Sequence, residues 1–457
     1  MVPVKELNEM RAYFETGITL EADFRKRQLQ KWKSVLQQNE QEIYSALYAD
    51  LKKSPEECWV TENGFLLSEI NQAISELDQW MKPVSVNTNL VNLPSSSFIM
   101  KEPLGVVLVI APWNYPLMLL LVPVIGAMAA GNCVVLKSSE HAAATTALVK
   151  KMVQENFDQR YLYFAEGDGS EIIPAMMSDF VFDHVFFTGS TAVGKSVYEM
   201  AAKNLVPVTL ELGGKSPCVV EADANVKVAA RRIVMTKFSN AGQMCVAPDF
   251  LLVHHSVKNA LVTEMIAVIK KFFGNSAEDC YEFGKIINER QFNRICKYLT
   301  EGKIVHGGRT IKEKLFIEPT ILDEIKAGAT VLQDEIFGPV LPVLSFDKKE
   351  EAMAVIRQHK NPLAFYVFTS SKSKEKDWLS SVPFGGGCVN NASWHLTNHN
   401  LPFGGRGFSG TGQYHGKFSF DTFSHQKAVM KTPTWFDPSV KYPPFKGKLR
   451  LFKWVIR

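Results

Sequence analysis

Cys245 lies in a stretch whose composition would suit a catalytic nucleophile. The stretch, SNAGQMCVAPDF (239–250), mixes small and polar residues as loops do. A cysteine attacks as its thiolate, so it needs both access to a substrate and surroundings that favour ionisation. An isolated free cysteine is more often a small core residue. The stretch alone leaves both interpretations open for Cys245, and the other six cysteines are interpreted as core residues.

Two carboxylates have neighbours that could shape their chemistry. The stretch TLELGGKSP (209–217) places Glu211 at the end of an apolar strand, before two glycines. A carboxylate there is either a buried, hydrogen-bonded group or a base whose pKa is raised by burial. The stretch LQDEIFGPVLPV (332–343) places Glu335 beside an aromatic residue, a glycine and a proline.

The stretch FFTGSTAVGKSV (186–197) predicts a strand, a glycine turn and the start of a helix. Backbone N–H groups at a helix N-terminus bind anions, and glycine lets the backbone approach a phosphate. Residues Gly189 to Ser196 match the phosphate-loop pattern GxxxxGK[ST] of nucleotide triphosphatases. The alternative is a simple strand-to-helix turn in which Ser190 or Thr191 caps the helix.

Asn114 lies in IAPWNYP (110–116), inside a run from Pro103 to Leu136 that has no charged side chain. The run is long enough to cross a bilayer. However, prolines would interrupt a spanning helix. The run instead predicts a strand (GVVLVIA), a loop, a buried helix that ends near Gly131 and a second strand (CVVLK).

The rest of the chain supplies elements that would hold these residues. Residues 20–81 predict helices, and the polar stretch VNTNLVNLPSSSF (86–98) predicts an exposed connection or an edge hairpin. Short apolar strands then alternate with helices, and the alternation restarts after Cys245. This pattern is typical of parallel sheets covered on both faces, so two α/β domains are expected.

Composition excludes several classes of protein. The chain has 457 residues, of which 46% are hydrophobic and 21% charged, and its net charge is only +4. These values are ordinary for a globular protein and give no reason to expect a nucleic-acid partner. Seven scattered cysteines without a CxxC pair argue against disulfides and a zinc site, so no metal is expected. A cytoplasmic location is the expectation.

Seven short blocks in order resemble the aldehyde dehydrogenase superfamily: PWNYP, LKSSE, FTGSTAVGK, ELGGKSP, GQMC, EIFGPV and LPFGG. They extend from about residue 100 to 425. The details GSTAVG, CVAPD and YHGKFSFDTFSH resemble the class 3 branch, which includes the fatty aldehyde dehydrogenases.

The resemblance implies the fold of that family, with a Rossmann-like NAD domain, an α/β catalytic domain and a small bridging β element. The NAD-binding domain would comprise residues 1–81 and 103–208, and the catalytic domain residues 209–388. Residues 82–102 and 389–432 would form the bridging element and serve a homodimer, and 433–457 would be a basic amphipathic tail.

The resemblance also implies a reaction, in which Cys245 attacks an aldehyde and Asn114 donates to the resulting alkoxide. Hydride passes to the cofactor, and Glu211 then activates the water that hydrolyses the thioester to a carboxylic acid. The substrate would be a medium- or long-chain aliphatic aldehyde or an aromatic one. Tyr115 and Phe403 would line its binding site. Alternatives are an acyl-transferring or acyl-reducing relative on the same scaffold, a nucleotide triphosphatase and a non-enzymatic structural protein.

The cofactor implied is NAD. An acid at Glu140 favours a free ribose 2′-hydroxyl, while Lys137 nearby could tolerate the 2′-phosphate of NADP. The cofactor-binding positions carried over are Lys137, Glu140, Gly189, Ser190, Thr191, Ala192, Val193, Gly194, Leu212, Glu335 and Phe337.

The last 17 residues, KYPPFKGKLRLFKWVIR, contain six basic side chains and no acid. Phe445, Leu449, Phe452 and Ile456 recur at the spacing of one helix face. A short basic amphipathic helix of this kind lies on anionic membrane surfaces. The alternative is that the face packs against the same protein or a second copy of it.

Overall fold

Helices and short strands alternate through residues 3–326 and 328–456, which this computed structural model describes. The helices are α1 Val4–Glu15, α2 Ala22–Gln38, α3 Glu40–Leu51, α4 Pro55–Cys58, α5 Gly64–Met81, α6 Met118–Ala130, α7 Ala143–Asn156, α8 Gly169–Asp179, α9 Thr191–Ala202, α10 Val226–Phe238, α11 His255–Phe273, α12 Glu289–Tyr298, α13 Lys349–Ile356, α14 Lys372–Ser381, α15 Lys417–Thr422 and α16 Leu449–Val455.

The strands are short, as the sequence predicts for an alternating α/β chain. They are β1 Val84–Val86, β2 Ser96–Pro103, β3 Val106–Ile110, β4 Cys133–Lys137, β5 Leu162–Phe164, β6 His184–Thr188, β7 Val208–Glu211, β8 Pro217–Val220, β9 Phe250–His254, β10 Lys303–His306, β11 Thr310–Ile311, β12 Phe316–Ile317, β13 Thr320–Asp323, β14 Val340–Phe346, β15 Ala364–Phe368, β16 Gly386–Val389, β17 Gly410–Thr411 and β18 Ser424–Lys431.

A six-stranded sheet in the order β17-β7-β6-β3-β4-β5 forms the first layer. Its strands are parallel except β17, which is antiparallel to β7. Every residue of β3, β4 and β6 is buried, as expected for strands with helices on both faces. Strand β7 pairs with β6 and so belongs to this sheet up to Glu211, while the domain boundary at 208 stays a prediction.

A seven-stranded sheet in the order β10-β13-β14-β9-β8-β15-β16 forms the second layer. All its neighbouring strands are parallel except β10 and β13. The fold class predicted from the alternating pattern, two parallel α/β sheets, is therefore confirmed.

A third, antiparallel sheet of β1, β2 and β18 connects distant parts of the chain. The β1–β2 pair confirms the edge hairpin among the alternatives for the polar stretch. Residues Ser424 to Lys431 pair with Pro103 to Ser96. The predicted bridging element therefore has a physical counterpart in this sheet, while the limits of the domains stay a prediction.

The uncharged run folds into β3, a loop, α6 and β4, in the predicted order. Helix α6 is buried along its whole length and ends at Gly131, whose φ of 95° requires the left-handed conformation that glycine adopts readily. Across the described ranges, none of the helices combines the length and the apolar composition that a bilayer crossing needs.

Candidate active site

The carboxyl edge of the six-stranded sheet gathers four predicted segments. Asn114 lies in the loop after β3, Lys137 ends β4, Gly189 follows β6 and Glu211 ends β7. Parallel strands end at the same edge, so these segments face one side of the sheet. Cys245 comes from the loop before β9 of the seven-stranded sheet. The candidate site therefore lies where the two sheets meet.

Cys245 keeps partial solvent exposure but is otherwise enclosed by protein. Burial raises the pKa of its thiol far above the ordinary value, and the charges of Glu335 and Glu211 raise it further. Backbone N–H groups of Cys245 and Val246 act in the opposite direction. The two acids therefore lie close enough to sense the sulfur, and the protein by itself favours a neutral thiol.

Glu211 is 2% exposed, and neither of its carboxylate oxygens has a hydrogen-bond partner among the described residues. Burial raises the pKa of this carboxyl well above its ordinary value. An unpartnered carboxylate in such a site is costly as an anion and binds a proton strongly. Of the two interpretations open from the sequence, the hydrogen-bonded structural group does not match these contacts, and the role of a base stays a prediction.

The side chain of Asn114 is held beside the cysteine loop. Its Nδ2 donates to the backbone oxygen of Gln243, two residues before Cys245, at 3.0 Å. Its own backbone oxygen accepts from Asn240 Nδ2 at 2.7 Å. A primary amide has two N–H donors, so one remains for an oxyanion while the other fixes the orientation.

A buried ion pair from the N-terminal helices supports the Asn114 loop. Lys53 Nζ and Glu62 Oε1 are 2.6 Å apart, and both side chains are fully buried. Glu62 Oε2 accepts from the backbone N–H groups of Leu117 and Met118 at 3.1 and 2.9 Å, which caps the start of α6. Lys53 Nζ also donates to the backbone oxygen of Asn114 at 3.3 Å. Sequence analysis missed this pair because both residues lie in a charged stretch that looks solvated.

The two residues predicted to line the substrate, Tyr115 and Phe403, pack against different parts of the chain. Tyr115 is buried, with Lys53 Nζ 3.8 Å from the centre of its ring. Burial raises the pKa of Tyr115, and the charges of Glu57, Glu62 and Cys245 raise it further. Phe403 stacks on His415, with 5.1 Å between the ring centres and 11° between the ring planes.

Tyr414 connects Phe403 to the candidate catalytic residues and was missed by sequence analysis. Its backbone exchanges two hydrogen bonds with Phe403, of 2.8 and 3.1 Å. Burial raises the pKa of the Tyr414 phenol, and the charges of Glu211 and Cys245 contribute. Tyr414 begins the block YHGKFSFDTFSH, which in the sequence indicates only family resemblance. The fold is what brings Tyr414 under the influence of the Glu211 charge.

Glu335 approaches the end of β7 from the opposite sheet. A side-chain carbon added at Gly213 would lie 2.0 Å from Glu335 Oε2, so only glycine leaves room for this approach. Burial, and to a smaller extent the charge of Asp249, raise the pKa of Glu335 to about 8. Glu335 Oε1 is buried without a partner among the described residues, so it can accept a hydrogen bond from a ligand hydroxyl.

Phe337 links the Glu335 loop to the Asn114 loop. Its ring meets Trp113 edge to face, with 5.3 Å between centres. Arg294 holds the same loop through the backbone oxygens of Glu335 and Ile336, at 3.2 and 2.8 Å. The loops that carry Asn114 and Glu335 are therefore in direct contact.

The glycine turn begins helix α9 with the predicted cap. Ser190 Oγ accepts from the backbone N–H of Val193 at 3.4 Å. A side-chain carbon added at Gly194 would lie 2.6 Å from Leu212 Cδ2, so the helix packs directly on the end of β7. Ala192 and Val193 are exposed, which leaves the first turn of the helix open to a ligand.

Lys137 and Glu140 form a separate pair at the end of β4. Lys137 Nζ lies 3.3 Å from Glu140 Oε2, and the Glu140 side chain is 42% exposed. Strand β4 lies on the opposite side of β3 from β7. The structure therefore brings Cys245, Glu211 and Asn114 together, while Lys137 and Glu140 lie further along the same sheet edge.

Comparison with known proteins gives consistent relatives. A model of the aldehyde dehydrogenase family matches residues 5–429. The chain is 43% identical over 447 residues to the 4,4'-diaponeurosporen-aldehyde dehydrogenase of Staphylococcus aureus, covering 97% of each chain. It is 42% identical over 456 residues to aldehyde dehydrogenase family 3 member H1 of Arabidopsis thaliana, covering 98% of this chain and 94% of the relative.

Solved structures agree with these relatives. The substrate-bound state of Staphylococcus aureus AldH superposes with a TM-score of 0.97 at 42% identity, covering 100% of each chain. An indole-3-acetaldehyde dehydrogenase in complex with NAD+ superposes with a TM-score of 0.83 at 28% identity, covering 94% of this chain and 88% of that one. The fold implied by the sequence resemblance is thus confirmed. The chain belongs to the aldehyde dehydrogenase family, among its family 3 relatives, and is an enzyme.

Proposed function

We propose that the protein oxidises medium- or long-chain aliphatic aldehydes, or aromatic ones, to carboxylic acids with NAD as the acceptor and NADP as an alternative. The single observation that carries this proposal is the pair of buried carboxylate oxygens of Glu211, which have no partner among the described residues and whose charge acts on the Cys245 thiol. Such an acid is useful where a thioester must be hydrolysed by water, because it can accept a proton from that water.

The first half of the proposed reaction belongs to Cys245 and Asn114. The thiol of Cys245 gives up its proton to solvent as its sulfur attacks the aldehyde carbon, and the carbonyl oxygen becomes an alkoxide. The free N–H of the Asn114 amide and the backbone N–H of Cys245 donate to that oxygen. Donors fixed in place before the reaction stabilise developing charge without reorganisation. The contact with Gln243 and the support from Lys53 provide that fixation for Asn114.

The second half belongs to Glu211. Once the substrate carbon is a thioester on the Cys245 sulfur, Glu211 removes a proton from the attacking water. In its ionised form Glu211 is a stronger base than an exposed carboxylate, because burial raises its pKa. Water as the acceptor distinguishes this reaction from acyl transfer or acyl reduction on the same scaffold, for which a deacylating base has no use.

The described residues fit a dinucleotide cofactor. Glu335 Oε1 is a buried acceptor without a partner, as a ribose hydroxyl requires. The open first turn of α9 offers N–H groups to a pyrophosphate. Glu140 and Lys137 would hold the adenine ribose, and Phe337 would support the nicotinamide. When bound, the nicotinamide would supply the hydride acceptor.

Membership in the aldehyde dehydrogenase family excludes the interpretation of residues Gly189 to Ser196 as the phosphate loop of a nucleotide triphosphatase. The non-enzymatic alternative is likewise overturned. We assign residues 82–102 and 389–432 to a homodimer contact, supported by the exposed small sheet of β1, β2 and β18.

Steady-state turnover tests the proposed substrate class. Hexanal, decanal and benzaldehyde are expected to reduce NAD at measurable rates, because Trp113, Tyr115 and Phe403 give the site aromatic walls. The readout is the nicotinamide absorbance, with NADP compared in parallel and enzyme-free mixtures as the control. No reduction of either cofactor with any of the three aldehydes would overturn the proposal.

The tail supports a weak contact of a cytoplasmic protein with anionic membrane surfaces. Helix α16 forms where the sequence predicts it, and Phe445 packs on Phe452 with 5.8 Å between ring centres. Leu449, Trp454 and Ile456 are 62%, 70% and 72% exposed. The apolar face is therefore not covered by the described part of this chain, which leaves a membrane or a second copy to cover it.

Deleting residues 441–457 should lower kcat/KM for decanal more than for propanal, if the tail shields or admits long substrates. The deletion should also reduce sedimentation with anionic liposomes, and added salt should reduce sedimentation of the full chain, because screening weakens attraction to basic side chains. Replacing Lys446, Lys448, Arg450 and Lys453 with glutamine is the matched control that keeps the apolar face. Equal effects of the deletion on both aldehydes, with unchanged sedimentation, would leave the tail a packing role only.

A further inference from the structure

His254, His255 and Asp347 form a compact group at the carboxyl ends of β9 and β14, whereas Cys245 lies in the loop that precedes β9. Each offers one ligand atom, and these atoms all lie within 4.8 Å of one another. Among residues 3–326 and 328–456 it is the one group of three or more His, Cys, Asp or Glu side chains with this geometry. We propose that this group is a surface site for Zn2+.

The fold creates the group from two neighbouring strand ends. Strands β9 and β14 are parallel, and Phe346 pairs with His254 in the register. Asp347 is the next residue after β14, so it leaves the sheet beside His254 and His255. Parallel strands end at a common edge. Sequence analysis expected no metal because it looked for cysteine and histidine motifs close in sequence, whereas this group needs residues from two separate strands.

The distances suit a single ion. His255 Nδ1 and Asp347 Oδ1 are 2.8 Å apart. Two ligands on bonds of about 2.0–2.2 Å lie roughly 3.4 Å apart around a tetrahedral zinc ion, so the His255–Asp347 pair has to open slightly to admit the ion. The side chains of His255 and Asp347 are 60% and 63% exposed, so small rotations can bring all three ligands onto the ion without disturbing the core.

A hydroxyl beside His254 can set its tautomer. Ser256 Oγ lies 2.7 Å from His254 Nδ1, and the backbone N–H of Ser256 donates to the same nitrogen at 3.3 Å. Nδ1 is therefore an acceptor in this structure, and the neutral ring carries its proton on Nε2. Binding of Zn2+ at Nε2 requires that proton to move to Nδ1, where it can be donated to Ser256 Oγ. Metal-binding histidines are commonly oriented by a second polar group of this kind.

The ligand set selects zinc over harder cations. Two imidazoles and one carboxylate suit Zn2+, with water completing a tetrahedral shell, whereas Ca2+ and Mg2+ prefer oxygen ligands alone. Glu351 adds a second negative charge close by, since its Oε2 accepts from the backbone N–H of Asp347 at 2.9 Å. Negative charge beside the three ligands attracts a divalent cation and so stabilises the metal-bound form relative to the metal-free form.

Zn2+ binding to the full-length, untagged, reduced protein tests the site. Competition with a chromophoric chelator gives the number of ions bound and their affinity. His255→Ala and Asp347→Asn are the principal variants, because both side chains are exposed and their loss leaves the core intact. His425→Ala removes another exposed histidine, on β18, and is the matched control. All variants keep the seven cysteines, so zinc bound by thiols is common to every sample.

The proposal expects His255→Ala and Asp347→Asn each to lose one equivalent of Zn2+ relative to the wild type, while His425→Ala loses none. Ser256→Ala should keep the stoichiometry but weaken that equivalent by about tenfold, the lower end of the usual effect of removing a supporting group. Equal numbers of ions on the wild type, His255→Ala and Asp347→Asn would overturn the site. Equal affinity in Ser256→Ala would overturn the role of Ser256.

Discussion

Cys245→Ala is expected to lose aldehyde oxidation while it retains the fold and cofactor binding. The sulfur is the atom that would form the covalent bond to substrate, and alanine offers no substitute. Loss of a catalytic nucleophile typically lowers turnover by about 10⁴-fold or more. The measurement is nicotinamide reduction in the steady state, with circular dichroism and cofactor titration to show that the variant is intact.

Cys296→Ala is the matched control for this variant. Cys296 is also a partly exposed free cysteine, but it lies on helix α12. It should retain turnover close to that of the wild type. Turnover of Cys245→Ala comparable to that of Cys296→Ala would remove Cys245 from the mechanism.

Glu211→Gln should separate the two halves of the reaction. Glutamine keeps the size of the side chain but cannot accept a proton from water. Attack by Cys245 does not require Glu211, so up to one equivalent of reduced cofactor should form rapidly. Steady turnover should then fall by about 10²–10⁴, the usual contribution of a general base. Stopped-flow absorbance at the nicotinamide band resolves both phases.

Glu69→Gln provides the corresponding control. Glu69 is also a buried acid, and burial raises its pKa to about 7, but its Oε2 accepts from the backbone N–H of Gly416. This variant removes a buried carboxyl of similar character without touching the proposed base. Its deacylation rate should remain near that of the wild type. Deacylation at the wild-type rate in Glu211→Gln would show that another group is the base.

Local patterns in the sequence were sufficient to predict the elements that carry the site. The uncharged run gave β3, α6 and β4 because short β-branched stretches and prolines act locally. Ser190 was anticipated as a helix cap because capping depends on neighbouring residues only. The proposed catalytic roles of Cys245 and Glu211 rest on resemblance, since composition leaves each residue with two interpretations.

Contacts between distant segments could not be predicted from the sequence. Lys53 and Glu62 resemble surface charges until α6 and the Asn114 loop enclose them. Tyr414 lies more than two hundred residues from Glu211, and only the fold makes their charges interact. The exposure of α16 likewise depends on where the rest of the chain lies. In each case the deciding interaction joins residues that no short motif includes.

The covalent role of Cys245 and the deacylating role of Glu211 are tested together by the mass of quenched Glu211→Gln protein. The protein is mixed with hexanal and NAD, stopped in acid within the burst, and analysed intact and after digestion. The account predicts one hexanoyl group per chain, on the peptide that contains Cys245, and slow loss of that group before quenching. Unmodified protein alongside released hexanoic acid at the wild-type rate, or an acyl group on a different residue, would contradict the account.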